Sequence, residues 1–140
     1  MFSLPLRSIT DASLIHDRVS SAVNSGNKQG IVIVGGGATG VSLGGALSDF
    51  IKESKKSDSG SITILEALTT ILPGWDECLV NKVEEVLREK EIRIMTSSPV
   101  AKVENGGSDG IDVCLSGDGE SKIHHLLPFG LQELKDTIYW

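Results

Sequence analysis

The junction at residues 31–40 constrains this 140-residue chain more than any other segment. Ile31, Val32, Ile33 and Val34 are four β-branched residues in a row, and Gly35-Gly36-Gly37-Ala38-Thr39-Gly40 follows without a spacer. A short run that is apolar on both faces suits a central strand of a parallel sheet, buried above and below. Past the glycines a helix is expected to about Glu53, with Val41, Leu43, Leu47, Phe50 and Ile51 as its apolar positions. Glycine makes up 16 of the 140 residues, against a typical ~7%, and this cluster between strand and helix is where the excess is informative.

The remaining chain reads as further alternation. Residues 8–24 predict a helix that Ser8 caps, with Asp11 completing a capping-box-like pair and Leu14, Ile15, Val19, Ala22 and Val23 burying one face. Asn24 to Gly30 carries turn chemistry, and the polar stretch Lys52–Gly60 reads as a solvated loop. Ile62–Leu65 predicts a second strand closing on Glu66, and Ile71-Leu72-Pro73-Gly74 a turn. Asp76 to Lys90 predicts a second amphipathic helix with Leu79, Val80, Val83, Val86 and Leu87 on one stripe. Ile92, Ile94 and Met95 mark a third strand. Val100–Val103 and Ile111–Leu115 flank Glu104-Asn105-Gly106-Gly107, a hairpin signal. Strands alternating with helices imply a parallel sheet with right-handed crossovers, in an α/β fold.

Charge and cysteine content exclude several classes. Thirteen basic against 19 acidic residues give a net charge of −6, which disfavours a nucleic-acid binder, because phosphate backbones select basic faces. Cys78 and Cys114 form no CxxC or Cys/His ligand spacing and read as two reduced thiols, Cys78 half-buried near a helix start. His16 falls on a surface helix, and His124-His125 follows a strand near the tail; no convergent ligands accompany them, so no metal site is expected. No apolar stretch approaches the ~20 residues that cross a bilayer, and the expected location is cytoplasmic. Trp75 reads as a loop anchor, and Leu131 to Trp140 as a tail helix.

The chemistry resides in Gly35-x-Gly37-x-x-Gly40, which comes straight off a strand and opens a helix, the context a dinucleotide-binding fingerprint requires. Gly35 permits the tight turn, Gly37 allows a pyrophosphate to approach the backbone, and Gly40 with Gly44 lets the helix lie close to the sheet. The helix N-terminus then offers free N–H groups and partial positive charge to the phosphates. Glu66, at the carboxyl end of the second strand, supplies an acceptor for both ribose hydroxyls of an adenosine and repels a 2′-phosphate. Its distance from the fingerprint exceeds the usual ~20 residues, an excess that the Lys52–Gly60 loop absorbs. Ala67 and Leu68 follow it with no nearby cation, favouring NAD(H) over NADP(H). A P-loop is excluded because no Lys-Ser/Thr pair follows the glycines. The candidate cofactor-binding residues are therefore Gly35, Gly36, Gly37, Ala38, Thr39, Gly40, Glu66 and Ala67.

Ile31 to Val41, then Ile64-Leu65-Glu66, then Ile71-Leu72-Pro73 with Asp76, resembles the NADH-binding domain of the pyridine nucleotide–disulfide oxidoreductases. Within them it is most similar to the FAD-dependent type II NADH dehydrogenases, and Pro5-Leu6-Arg7-Ser8 with Asp11-Ala12 resembles their lead-in segment. The resemblance covers roughly residues 5–115. It implies a Rossmann-like parallel sheet with flanking helices plus an antiparallel β-meander after residue 95. It implies further that Gly35, Gly37, Gly40 and Glu66 hold the adenosine diphosphate half of NADH.

Three departures accompany it. Ser42 stands where the family has a glutamate near the nicotinamide, within Gly40-Val41-Ser42-Leu43-Gly44-Gly45-Ala46. No other glycine fingerprint precedes Ile31, so the FAD-bearing domain or subunit is expected elsewhere in a parent enzyme. The tail from Leu126 does not resemble the family's return to that domain, nor a type II membrane anchor, which leaves peripheral membrane association to the parent. The expected organisation is a lead-in helix and linker over 1–30, an NAD(H)-binding Rossmann-like domain over 31–125, and an atypical or truncated tail over 126–140.

The resemblance implies hydride transfer from NADH to FAD and on to a quinone or another acceptor, with this chain supplying binding and orientation but no catalytic acid, base or nucleophile. The alternative is a stand-alone NAD(H)-binding module or sensor without turnover. A third reading, in which the fingerprint binds FAD, is disfavoured by the Glu66…Ile71-Leu72-Pro73…Asp76 context.

Overall fold

The computed structural model describes residues 4–24, 30–54, 61–105, 111–116 and 122–125. The elements in chain order are α1 (Ile9–Asn24), β1 (Ile31–Val34), α2 (Ala38–Glu53), β2 (Ile62–Leu65), α3 (Glu77–Glu89), β3 (Ile92–Met95), β4 (Val100–Asn105), β5 (Ile111–Leu115) and β6 (Lys122–His125). β1, β2 and β3 form a parallel sheet in that order, and β4, β5 and β6 an antiparallel one. This is the expected α/β architecture, a Rossmann-like sheet with helices and a meander.

Alternation along the parallel strands sorts their side chains into two cores. Ile31, Ile33, Ile62, Ile64 and Ile92 join Ile15, Val19 and Val23 of α1, Leu47 and Ile51 of α2, and Val80 and Leu87 of α3. Val32 and Leu65 face the other way and pack with Val100, Ile111 and Val113 of the antiparallel sheet. The parallel sheet thus has helices on one face and the meander on the other, which explains strands that are apolar at almost every position. Among the described strands β1 lies at one edge, and β2 is the middle strand. Burial above and below is set by the covering layers and says nothing about lateral position.

The helix faces are narrower than their periodicity suggests. On α1, Ile15, Val19 and Val23 are buried at four-residue spacing, whereas Leu14 is exposed. On α3, Val80 and Leu87 are buried, with Val83 packed against the core, while Leu79 and Val86 face solvent. Trp75 is half-exposed, and its main-chain N–H donates to the Leu72 carbonyl at 3.1 Å within the turn. α1 starts with a full capping box: Asp11 N–H donates to Ser8 Oγ at 3.2 Å, and Ser8 N–H to Asp11 Oδ2 at 2.9 Å. The C-terminal ends of α2 and α3 are tied by Ser48 Oγ, which donates to the Lys90 carbonyl at 3.1 Å, and by the Lys90–Asp49 ion pair.

The expected hairpin forms, with β4 antiparallel to β5 and a bulge between Val100 and Lys102. His124 and His125 lie within β6, opposite Asp112 and Ile111, and so do not follow a strand. Most of the 52–60 loop, the Gly106-Gly107 turn and the tail helix at 131–140 lie outside the described residues. Among the described residues no helix is long and apolar enough to cross a membrane.

Candidate functional site

The carboxyl ends of β1, β2 and β3 meet at one rim of the parallel sheet, and main-chain hydrogen bonds continue the pairing beyond the strands. Gly35 N–H donates to the Leu65 carbonyl at 2.8 Å and Glu66 N–H to the Met95 carbonyl at 2.8 Å. Ser98 N–H donates to the Glu66 carbonyl at 2.8 Å and Ser97 N–H to the Leu68 carbonyl at 2.7 Å. The loops after the three strands are thereby fixed to one another. The sequence reading assigned no part to Ser97 or Ser98; their only signal was position, immediately past the third parallel strand.

The glycine turn follows from hard-sphere limits. Gly35 has φ 107, a conformation that side chains disfavour. At Gly40 a Cβ would lie 1.9 Å from the Gly35 carbonyl oxygen, so the first turn of α2 could not approach the strand end with any other residue. Gly44, one turn on, packs against Ile64 and Ile33, as the fingerprint predicts. Gly37 differs from both. It is the N-cap of α2 in extended geometry, φ −72 and ψ −177, and a Cβ there would meet nothing within 4 Å. The space beside it is the kind of approach that a backbone-bound pyrophosphate needs.

The α2 N-terminus is also chemically open. Asp76 closes α3 by accepting from Cys78 N–H at 3.0 Å, and Ser8 with Asp11 closes α1. Gly37 has no side chain to offer, and the first turn of α2 holds no acidic residue. The amides of Ala38, Thr39 and Gly40 therefore begin the helix without a side-chain acceptor from the cap. Aligned peptide dipoles add partial positive charge at that end, which suits an anion. Ala38 and Thr39 are exposed, as is Ala67 across the rim.

Glu66 is 8% exposed at the end of β2. Its Oε2 accepts from Gly36 N–H at 2.7 Å and its Oε1 from Leu68 N–H at 2.9 Å. Among the described residues no cationic side chain pairs with it; two main-chain dipoles meet its polar oxygens instead. The structure thus brings Gly35, Gly36, Gly37, Ala38, Thr39, Gly40, Glu66 and Ala67 to one rim. Gly36 is buried, and a Cβ on it would press on Ile71 Cγ2 at 2.9 Å and Glu66 Oε2 at 3.1 Å. That constraint was not readable from the glycine spacing, where residue 36 is a variable position of the fingerprint.

Other candidates lie apart from this rim in character. Cys78 is exposed, not half-buried, and Cys114 is buried in β5. His16 stacks edge-on against Phe50 with ring centroids 5.1 Å apart, part of the α1–α2 contact. Among the described residues no group of three or more His, Cys, Asp or Glu side chains is placed to hold a metal ion.

The profile of the pyridine nucleotide-disulphide oxidoreductases matches residues 4–128. A probable mitochondrial NADH-ubiquinone oxidoreductase of Schizosaccharomyces pombe is 31% identical over 106 residues, covering 71% of this chain and 19% of the relative. A dihydrolipoyl dehydrogenase of Geobacillus stearothermophilus is 29% identical over 104 residues, covering 74% of this chain and 20% of the relative. The chain thus spans about a fifth of the length of these curated relatives. In fold it is similar to NDH2 from Plasmodium falciparum in complex with NADH, with a TM-score of 0.74, 18% identity, and coverage of 94% of this chain and 30% of that one.

Proposed function

The chain belongs to the pyridine nucleotide-disulphide oxidoreductase family, and from that premise we propose that residues 31–125 are the NADH-binding portion of an FAD-dependent NADH dehydrogenase. The observation that carries the reading is the uncapped N-terminus of α2, standing beside a glutamate at the end of β2. The amides of Gly37, Ala38 and Thr39 hold the pyrophosphate, and the carboxylate of Glu66, flanked by exposed Ala67, accepts the adenosine ribose hydroxyls. A 2′-phosphate would bring its charge against that carboxylate, which selects NADH over NADPH. Held by these residues, the dinucleotide would supply hydride chemistry, and a flavin elsewhere in the parent enzyme would supply the acceptor on the way to a quinone or another oxidant. The residues of this chain bind, orient and exclude.

Calorimetric titration of the chain with NADH, NADPH and FAD in parallel tests this. The expected result is binding selective for NADH and lost in Glu66→Ala. Preference for FAD, or no binding to any of the three, would overturn the assignment.

A second reading, an NAD(H)-binding module without turnover, is favoured by Ser42. It is exposed in the first turns of α2 and brings no carboxylate to the place where the family resemblance implies one. NADH binding without hydride delivery to any flavin-bearing partner would support that reading over the first.

A further inference from the structure

The carboxylate of Glu66 is engaged in the protein itself, before any ligand is considered. One oxygen takes the Gly36 amide at 2.7 Å and the other the Leu68 amide at 2.9 Å. Gly36 is gripped a second time through its carbonyl, which accepts from Leu72 N–H at 2.8 Å. On the side where a Cβ would project, Ile71 Cγ2 and Glu66 Cβ close in at 2.9 and 3.1 Å. The segment following β2 therefore clasps the turn following β1 at its middle residue. Glu66 thus holds the Gly35–Gly36 peptide, and the Leu72 amide holds the next peptide, Gly36–Gly37, which leads into the open first turn of α2.

A carboxylate suits this task and an amide does not. Both oxygens of a carboxylate accept, and each retains a lone pair after taking one N–H. Those remaining lone pairs are available to ribose hydroxyls. A glutamine has one acceptor oxygen and one NH₂ donor, so it would turn a donor toward either Gly36 or Leu68. One of the two amides would then lose its acceptor, at the greater cost where it is the buried Gly36 amide rather than the part-buried Leu68 amide.

We propose that Glu66 is a positioning residue for the phosphate-binding turn in addition to being the ribose acceptor, so that the phosphate and ribose subsites form one coupled unit. This rests on the dinucleotide reading above. It separates from that reading because it predicts a defect toward ligands that have no ribose hydroxyls for Glu66 to accept.

The test compares ADP with 2′,3′-dideoxy-ADP by NMR titration of the ¹⁵N-labelled chain, in wild type, Glu66→Gln and Gly36→Ala. Ribose recognition alone expects Glu66→Gln to weaken ADP and leave dideoxy-ADP unchanged. The clasp expects dideoxy-ADP to weaken as well, by about tenfold for the loss of a charge-assisted hydrogen bond. It expects Gly36→Ala, which keeps the carboxylate but wedges a methyl against it, to show the same dideoxy-ADP defect. Dideoxy-ADP affinity unchanged in both variants overturns the proposal while leaving the dinucleotide site standing.

Amide exchange in the wild type and Glu66→Ala gives a ligand-free measurement. The Gly36 amide should exchange slowly with solvent in the wild type and markedly faster in Glu66→Ala, which leaves it no acceptor, while the amides of Ile33 and Leu65 stay protected and so report an intact sheet. Equal Gly36 exchange in the two proteins overturns the clasp, even if the wild type binds neither nucleotide. Faster Gly36 exchange in a protein that binds neither nucleotide upholds the clasp and removes only the dinucleotide reading.

Discussion

Helices α2 and α3 both begin beyond the carboxyl end of a parallel strand, yet their first turns are built in opposite ways. α3 satisfies itself: Asp76 accepts the Cys78 amide, and Glu77 adds negative charge at the positive end of the helix. α2 starts at a glycine with no side chain and has no acidic residue in its first turn. The second arrangement leaves helix stability unrealised at a place where a cap would fit, since a Cβ on Gly37 meets open space. Packing does not forbid the cap. What the open corner suits is an acceptor from outside the chain, the part proposed for it above, whereas the start of α3 is satisfied by its own side chain.

The sharpest way to break that contrast is to give α2 the cap of α3. Gly37→Asp is compatible with the backbone at φ −72 and ψ −177. It should raise stability by roughly a few tenths of a kcal/mol and lower NADH affinity about tenfold or more, by occupying the amides and adding like charge. Paired calorimetry and urea unfolding check both signs at once, and unchanged affinity would mean that the first turn of α2 does not hold the phosphates. The converse change, Asp76→Ala, should cost about 1 kcal/mol of stability with no change in NADH affinity.

The smallest effect belongs to the third helix start, on α1. There the Arg7 amide chiefly, then the Ser8 hydroxyl and amide and the Arg7 charge, hold the Asp11 carboxyl below its ordinary value. A carboxyl lowered in the folded state stabilises fully above its unfolded value, about 3.9, and loses that contribution as pH falls through the lower folded value. NMR signals of the first turn of α1 should therefore shift on acidification below about pH 4, and Asp11→Asn should remove the transition.

Features whose causes lie within a few residues were readable from sequence. The Ser8–Asp11 box, the bounds of β1 and β2, the glycine turn and the placement of Glu66 at a strand end all depend on local pattern. Features set by a distant partner were not. Gly36 is constrained by Glu66 and Ile71, which enter the same space only when β1 and β2 pair. Leu14, Leu79 and Val86 share a helical face with buried residues, but periodicity cannot give the width of the sheet beneath. The cover on the second face of β1 was hidden for a related reason: it comes from the meander, which lies more than sixty residues on in the chain.

The ties along the sheet rim, from Gly35 through Leu65 and Glu66 to Met95 and Ser98, join main-chain atoms to main-chain atoms. Ordinary substitution does not delete such a bond; of the natural residues only proline lacks the amide that donates it. Those ties are thus written in a part of the polymer that mutation leaves almost untouched, while side chains away from the glycine turn and Glu66 have more room to vary. A scaffold of that kind can outlast its own sequence, which accords with a backbone shared at a TM-score of 0.74 by a protein only 18% identical.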